Sequence, residues 1–310
     1  MPQATREIKR RLRSIKSTRQ ITRAMELVSA AKMRRAVMNV LATRTYAQLG
    51  WEMLCELAAK VNRAHHPLLR KSEQTKRIGL VMVSSNRGLC GGFNHQLAYQ
   101  VHQYLAKHKS EQVDLEVDLV AVGKRGRDIM FRRGHLIVAE FVKPDVTTRL
   151  SEVTPVAQLV LSDYLSGKYD KVVMAYTDFV SPIKQKPRIK QLLPIELADD
   201  MYLGAAQADG LKLDKSPVKS GVFNYEYLFE PSVEKVLDQL IPRLLEIQLY
   251  QALLESDASE HSARMMAMRN ASDAAKDMID DLTLAFNQAR QASITAELAD
   301  ITGGRVAIAD

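Results

Sequence analysis

The sequence predicts an α/β fold. Long N- and C-terminal helices are expected to pair as an antiparallel coiled coil, with a central βαβ-type domain inserted between them. Three observations carry this. The N-terminal stretch is free of proline over many turns, an apolar repeat of seven residues runs through the C-terminal stretch, and the segment between alternates short apolar runs with helical ones.

The first helix is expected over about 5–62, because no proline lies between Pro2 and Pro67 and the one glycine is Gly50. Ile8, Leu12 and Ile15, then Ile21, Met25 and Val28, mark a narrow apolar stripe. Ala24, Ser29, Ala30, Ala31 and Ala36 are small enough to let a second helix come close. His65, His66 and Pro67 should end this helix. Two adjacent histidines without a third or fourth ligand at useful spacing read as a solvated loop rather than a metal site.

In the middle, strands are expected at 78–83, 117–122, 136–139, 171–176 and 188–193, with helices at 96–108, 124–133 and 153–166. Alternation at this spacing implies a Rossmann-like sheet with helices on its faces. Residues 194–217 are irregular and polar, and no element is assigned to them. Pro231 stands at the start of the last helix, where a missing N–H costs nothing.

The last helix is expected over 233 to about 301. Val233, Leu240, Ile247, Leu254, His261, Met268, Ala275, Leu282, Ala289 and Ala296 fall at seven-residue steps, and nine of the ten are apolar. The companion column from Leu237 to Asp300 is apolar in six of ten. Such a repeat over so many turns implies a supercoiled helix, roughly 100 Å long at 1.5 Å per residue. The chain thus divides into a coiled-coil helix at 1–64, an α/β domain at 65–230 and a second coiled-coil helix at 231–310.

The net charge of +8 is uneven. Up to Arg44 there are twelve Lys and Arg against Glu7 and Glu26, which is +10, so the rest of the chain carries −2. So basic a segment implies an acidic partner, whether nucleic acid, anionic lipid or protein. It lacks interleaved aromatics and any helix-turn-helix or basic-zipper layout, so an acidic protein surface is at least as good a partner as DNA. Cys55 and Cys90 form neither a metal spacing nor a disulfide framework, and a reducing compartment is expected. No apolar run approaches the ~18 residues of a membrane span, and the first residues lack an apolar secretory region. A peripheral place on a membrane remains open.

No enzyme site stands out. The stretch 84–94 (SSNRGLCGGFN) follows a strand and precedes a helix, where phosphate loops sit. It contains neither phosphate-loop glycine pattern. A tight backbone turn is the better reading, with Arg87 able to hold an anion. Cys90 and His95 are five residues apart across a loop-to-helix junction, a poor nucleophile–base pair. Asp277, Asp280 and Asp281 alternate with the seam residues Met278, Ile279 and Leu282 and should face outward. His261 is a polar seam residue of the kind that sets register. No catalytic residue, cofactor or metal is expected.

The stretch 14–32 (SIKSTRQITRAMELVSAAK) resembles the N-terminal signature of the gamma subunit of F-type ATP synthases, and 289–297 (ARQASITAE) resembles its C-terminal signature. The stretches 87–94 (RGLCGGFN) and 123–128 (GKRGRD) resemble two loops of that family's central domain. The resemblance runs nearly end to end. It implies a central-stalk rotor, not itself catalytic, turning inside three alpha and three beta subunits. The α/β domain would bind the epsilon subunit and rest on a membrane ring of c subunits. Ion flow would turn the ring and shaft and drive ATP synthesis on the beta subunits. By position in the matched motifs, Met25, Arg290, Gln291 and Thr295 would meet beta-subunit loops.

The resemblance also implies no nucleic-acid partner and a peripheral place on the cytoplasmic side of a bacterial plasma membrane, the start at Met1 favouring a bacterial member. Arg305 stands in a tip that is usually apolar in the family. The cysteine-bearing insert of chloroplast members is absent, so thiol switching of that kind is not expected. Two rival readings remain: a stand-alone coiled-coil adaptor using its basic arm on nucleic acid or anionic membrane, and a nucleotide-using enzyme built on the α/β domain.

Overall fold

The computed structural model describes residues 3–59, 66–70, 74–111, 115–195, 230 and 233–309. Contacts divide the chain into two compact units. One comprises Met1–Ser29 with Arg264–Asp310, and the other Ala30–Ala263.

Two helices run through both units, α1 (Gln3–Ala59) and α5 (Val233–Ala309). Between them lie β1 (Arg77–Val83), α2 (Phe93–Glu111), β2 (Glu116–Val122), α3 (Lys124–Arg132) and β3 (Ile137–Phe141). A short 3-10 turn (Leu150–Glu152) precedes α4 (Thr154–Leu165), β4 (Lys171–Phe179) and β5 (Gln185–Leu193). Residues 196–229, which include most of the 194–217 stretch left without an element, and Pro231 lie outside the described residues.

In the larger unit the strands form one sheet in the order β3-β2-β1-β4-β5. The first four are parallel, as strand–helix alternation requires. β5 is antiparallel to β4, because the turn at 180–184, closed by Lys184 N–H donating to Ser181 O at 3.1 Å, is too short for a crossover. β1 is buried from Ile78 onward and so reads as a continuous apolar run. Alternate residues serve opposite faces. Leu80, Met82, Leu119 and Ala175 pack with α2 and α3, while Val81, Val83, Met174 and Tyr176 pack with α4 and with Val40, Leu54, Leu245 and Leu253 of α1 and α5.

His66 departs from the expected solvated loop. It is buried beside Leu68 and Leu69, its Nδ1 accepts from Leu68 N–H at 3.3 Å, and its Nε2 lies 3.2 Å from Asp238 of α5. Its neighbours are apolar and need cover, which the residue string HHP alone does not reveal.

In the smaller unit the two helical segments form the antiparallel coiled coil. On α5, Met268, Ser272, Ala275 and Ile279 are buried and Leu282, Phe286, Ala289 and Ser293 are half-buried, which follows the predicted seam. Met278, read as a seam residue, is exposed. On α1 the stripe differs from the expectation after Ile15. Thr22 and Ser29 are buried, whereas Ile21, Leu27 and Val28 are more than half exposed. Ile8, Ile15, Thr22 and Ser29 keep the seven-residue step, so the seam selects register and small size over apolarity.

Candidate functional site

The carboxyl-end edge of the sheet is where an open α/β sheet ordinarily binds a ligand. Here two loops close on each other. Ser84 N–H donates to Val122 O at 2.8 Å, and its hydroxyl donates to Gly123 O at 3.0 Å and accepts from Gly126 N–H at 2.9 Å. Gly123 has φ +102°, and a Cβ there would lie 2.4 Å from Ser84 O. The glycines therefore serve loop-to-loop contact. Asn94 folds back across the turn: its amide donates to Ser85 Oγ at 2.7 Å and to Cys90 Sγ at 3.2 Å, and Ser85 N–H donates to Asn94 Oδ1 at 3.1 Å. Cys90 is buried in this turn and His95 is exposed, so the geometry does not favour that pair as nucleophile and base. Arg87 is exposed, with a guanidinium nitrogen 3.9 Å from Asp145.

Helix α5 lies over this same edge, and it is bonded there on every side. Thr43 of α1 donates to Gln251 at 2.7 Å. Lys143, just past β3, sits 2.7 Å from Asp257 and 2.5 Å from Glu260. The other Asp257 oxygen accepts from Thr147 N–H at 2.6 Å. Ser259 donates to Thr177 O of β4 at 3.1 Å, and Ser262 donates to Pro182 O at 2.6 Å. His261 Nε2 lies 2.7 Å from Asp145 O, which can only accept, so that nitrogen carries the proton.

Residues advance about 100° each around an α-helix. With Gln251 at zero, Ser262 falls at about 20°, Ser259 at about 80°, Glu260 at about 180°, Asp257 at about 240° and His261 at about 280°. No gap between bonded directions exceeds about 100°. An ordinary packed helix buries one stripe; every residue from Leu249 to Ser262 is buried. The expected seam therefore does not continue through this stretch, which a socket of protein encloses instead.

Burial alone would push the Lys143 ammonium down, but Asp257 and Glu260 outweigh it and hold it above its usual value. Asp145 is held below the usual carboxylate value, first by the hydrogen bond from Lys32 at 3.0 Å, with partial burial opposing.

The residues singled out in the sequence lie elsewhere, in the coiled coil. Met25 is half-buried, and Arg290, Gln291 and Thr295 are exposed. Thr295 Oγ1 donates to Gln291 O at 3.0 Å, one turn back. Gln291 and Thr295, four residues apart, share a face of α5, while Met25 stands on α1. Asp277, Asp280 and Asp281 face solvent, as expected. The sequence reading missed Lys143, Asp257 and Glu260. The signal was present: from Glu255 to Ser262 only Ala258 is apolar, in the middle of an otherwise apolar seam.

A crevice filled by a gripped helix, and a coiled coil built from that helix and α1, define a class: a stalk protein whose α/β domain holds a shaft. The family model described as ATP synthase matches residues 4–308. The chain is 41% identical over 312 residues to the ATP synthase gamma chain of Herpetosiphon aurantiacus, covering 98% of this chain and 99% of that one. It is 42% identical over 307 residues to the gamma chain of Chloroflexus aurantiacus, again covering 98% and 99%. The chain belongs to the ATP synthase gamma chain family, whose members are subunits of that membrane-associated complex.

Among solved structures, a chain of the Euglena gracilis mitochondrial ATP synthase (OSCP/F1/c-ring, rotational state 3) shares the fold, with TM-score 0.63, 18% identity and coverage of 98% of this chain and 94% of that one. A chain of the Tetrahymena thermophila mitochondrial central stalk and c-ring structure gives TM-score 0.58, 24% identity and coverage of 81% and 99%. No helix among the described residues is long and apolar enough to cross a membrane.

Proposed function

We propose that this chain is the central-stalk rotor subunit of an F-type ATP synthase, coupling ion-driven rotation of a membrane ring to ATP synthesis or hydrolysis on beta subunits. The observation that carries this is α5 itself: one 77-residue helix, bonded all round within the sheet domain and continuing into a coiled coil. A rotor needs both parts, a fixed grip at one end and a stiff shaft at the other. The chain is not itself the catalyst, and the filled crevice supports this. Its partners are three alpha and three beta subunits, an epsilon subunit and the c-ring, and it sits on the cytoplasmic face of a bacterial membrane.

The outer surface of the shaft suits a sleeve. Ile21, Leu27 and Val28 on α1 and Leu284, Ile294 and Leu298 on α5 are exposed and apolar. Buried ion pairs resist separation, whereas such surface contacts can be made and released in turn. Met25, Arg290, Gln291 and Thr295 are the residues we assign to beta-subunit loops. The test is a gentle extraction of the tagged chain from its host membrane, with mass measurement of the complex. One copy should travel with three copies each of two larger subunits, and ATPase activity should follow that complex and not the isolated chain. Recovery alone, as a homodimer or with nucleic acid overturns the reading.

A further inference from the structure

We infer that Lys143, with Asp257 and Glu260, is the torsional lock that fixes the azimuth of α5 in the sheet domain, and that the ring of bonds from Gln251 to Ser262 is the joint through which torque passes. The inference rests on the rotor reading and adds the residues that carry the load.

Apolar packing is non-directional. A helix held by it alone resists being pulled away, but it resists rolling about its own axis much less. Hydrogen bonds and ion pairs have preferred geometry and lengthen when the helix rolls. Within this unit α5 carries six bonded directions, distributed around the whole axis over about 17 Å of its length. Lys143 is the central member. Its ammonium bridges two carboxylates that stand about 60° apart on the helix. Rolling α5 in either sense moves one carboxylate away from the ammonium, so a single lysine opposes both directions of torque. The bond is closed to water, its side chain being 1% exposed against 0% and 7% for its partners. It is therefore screened by salt far less than a surface pair.

Lys143 is itself anchored. Asn86, in the β1–α2 loop, donates to the Lys143 carbonyl, and Lys124 N–H lies 3.4 Å from Asn86 Oδ1. The load is thereby tied to the β1 and β2 loops and not left on one flexible segment.

The experiment uses the intact ATP synthase complex carrying this chain. A bead is fixed through Leu165→Cys, exposed at the end of α4, and the far end of α5 is cross-linked to the surrounding ring. The angular variance of the bead reports torsional stiffness. In Lys143→Met, subunit content and the ATPase of the complex before cross-linking should match the parent, while stiffness falls by roughly a quarter, since Lys143 makes two of the seven bonds named above. Lys143→Arg should recover part of it. If Lys143→Met does not assemble, Glu260→Gln and Ser262→Ala remove only a charge or a hydroxyl and should each give a smaller loss of stiffness. Unchanged variance in assembled variants overturns the lock. A parent complex that hydrolyses ATP without rotating before it is cross-linked overturns the rotor reading instead, so the two failures are distinguishable.

Discussion

Lys143 and Asp257, 114 positions apart in sequence, meet at 2.7 Å with both side chains closed to solvent. Glu260 completes the group at 2.5 Å. Removing one partner of such a group leaves buried charge uncompensated, which costs about 3–5 kcal/mol. Lys143→Ala should therefore lower the denaturant midpoint of the chain by that equivalent. Arg23→Ala, which breaks a surface pair with Glu26 at 2.7 Å, should cost no more than about 1 kcal/mol. Equal losses from the two variants would show that burial does not set the strength of the inner pair.

Acid should weaken the larger unit partly through Asp145. Its folded pKa is depressed, first by Lys32. A depressed carboxyl adds stability that is fully present above the unfolded value of about 3.9 and is lost as pH falls through the lower folded value. Urea midpoints measured from about pH 5 down to about pH 2 should fall, and Lys32→Gln should flatten part of that fall. A slope identical in parent and variant would remove Lys32 as the cause.

Gly123 and Gly134 separate conformational strain from steric exclusion. Both have positive φ, but a Cβ at Gly134 meets nothing within 4 Å, while one at Gly123 would strike Ser84 O at 2.4 Å. Gly134→Ala should cost about 1–2 kcal/mol for the left-handed backbone alone. Gly123→Ala should cost clearly more and lower the melting temperature further, because the β1 and β2 loops must part.

Much of this architecture was legible in the chain. The period of seven gave the coiled coil, and alternating apolar runs gave the sheet. Each of the five strands overlaps its expected range, with ends displaced by no more than three residues, although β5 (QKPRIKQLL) is largely polar. What misled was size. Ile21 and Val28 look like seam residues because they are large and apolar, yet Thr22 and Ser29 occupy the buried positions. Where two helices approach closely, the seam takes small side chains and the large ones face out. The socket was hidden for a different reason. Lys143 lies in a loop, and nothing local to it indicates that Asp257 and Glu260 are its partners. Only the run of polar residues on α5 from Glu255 to Ser262 hinted that this stretch needed partners on every side.

The corrected seam makes its own prediction. Ser29→Leu places bulk in a closed contact and should destabilise by about 1–3 kcal/mol. Ile21→Gln, on the exposed side, should change stability by no more than about 0.5 kcal/mol. Thermal melts of the two variants decide between this register and the one the apolar residues suggest.

The shaft residues have a functional test apart from stability. In the assembled complex, Met25→Lys and the joint change Gln291→Ala with Thr295→Ala should leave assembly intact and reduce ion pumping per ATP hydrolysed. Pumping and hydrolysis in parent proportion would remove these positions from the interface with the beta subunits.

The central claim is that this chain turns. The most direct measurement fixes the surrounding ring of an ATP synthase complex to a surface, attaches a bead to Leu165→Cys of this chain, and supplies ATP. The account predicts one-way rotation with three pauses per revolution, one for each beta subunit, stopping when ATP is withdrawn. A bead that only fluctuates about one angle while ATP is consumed would contradict it.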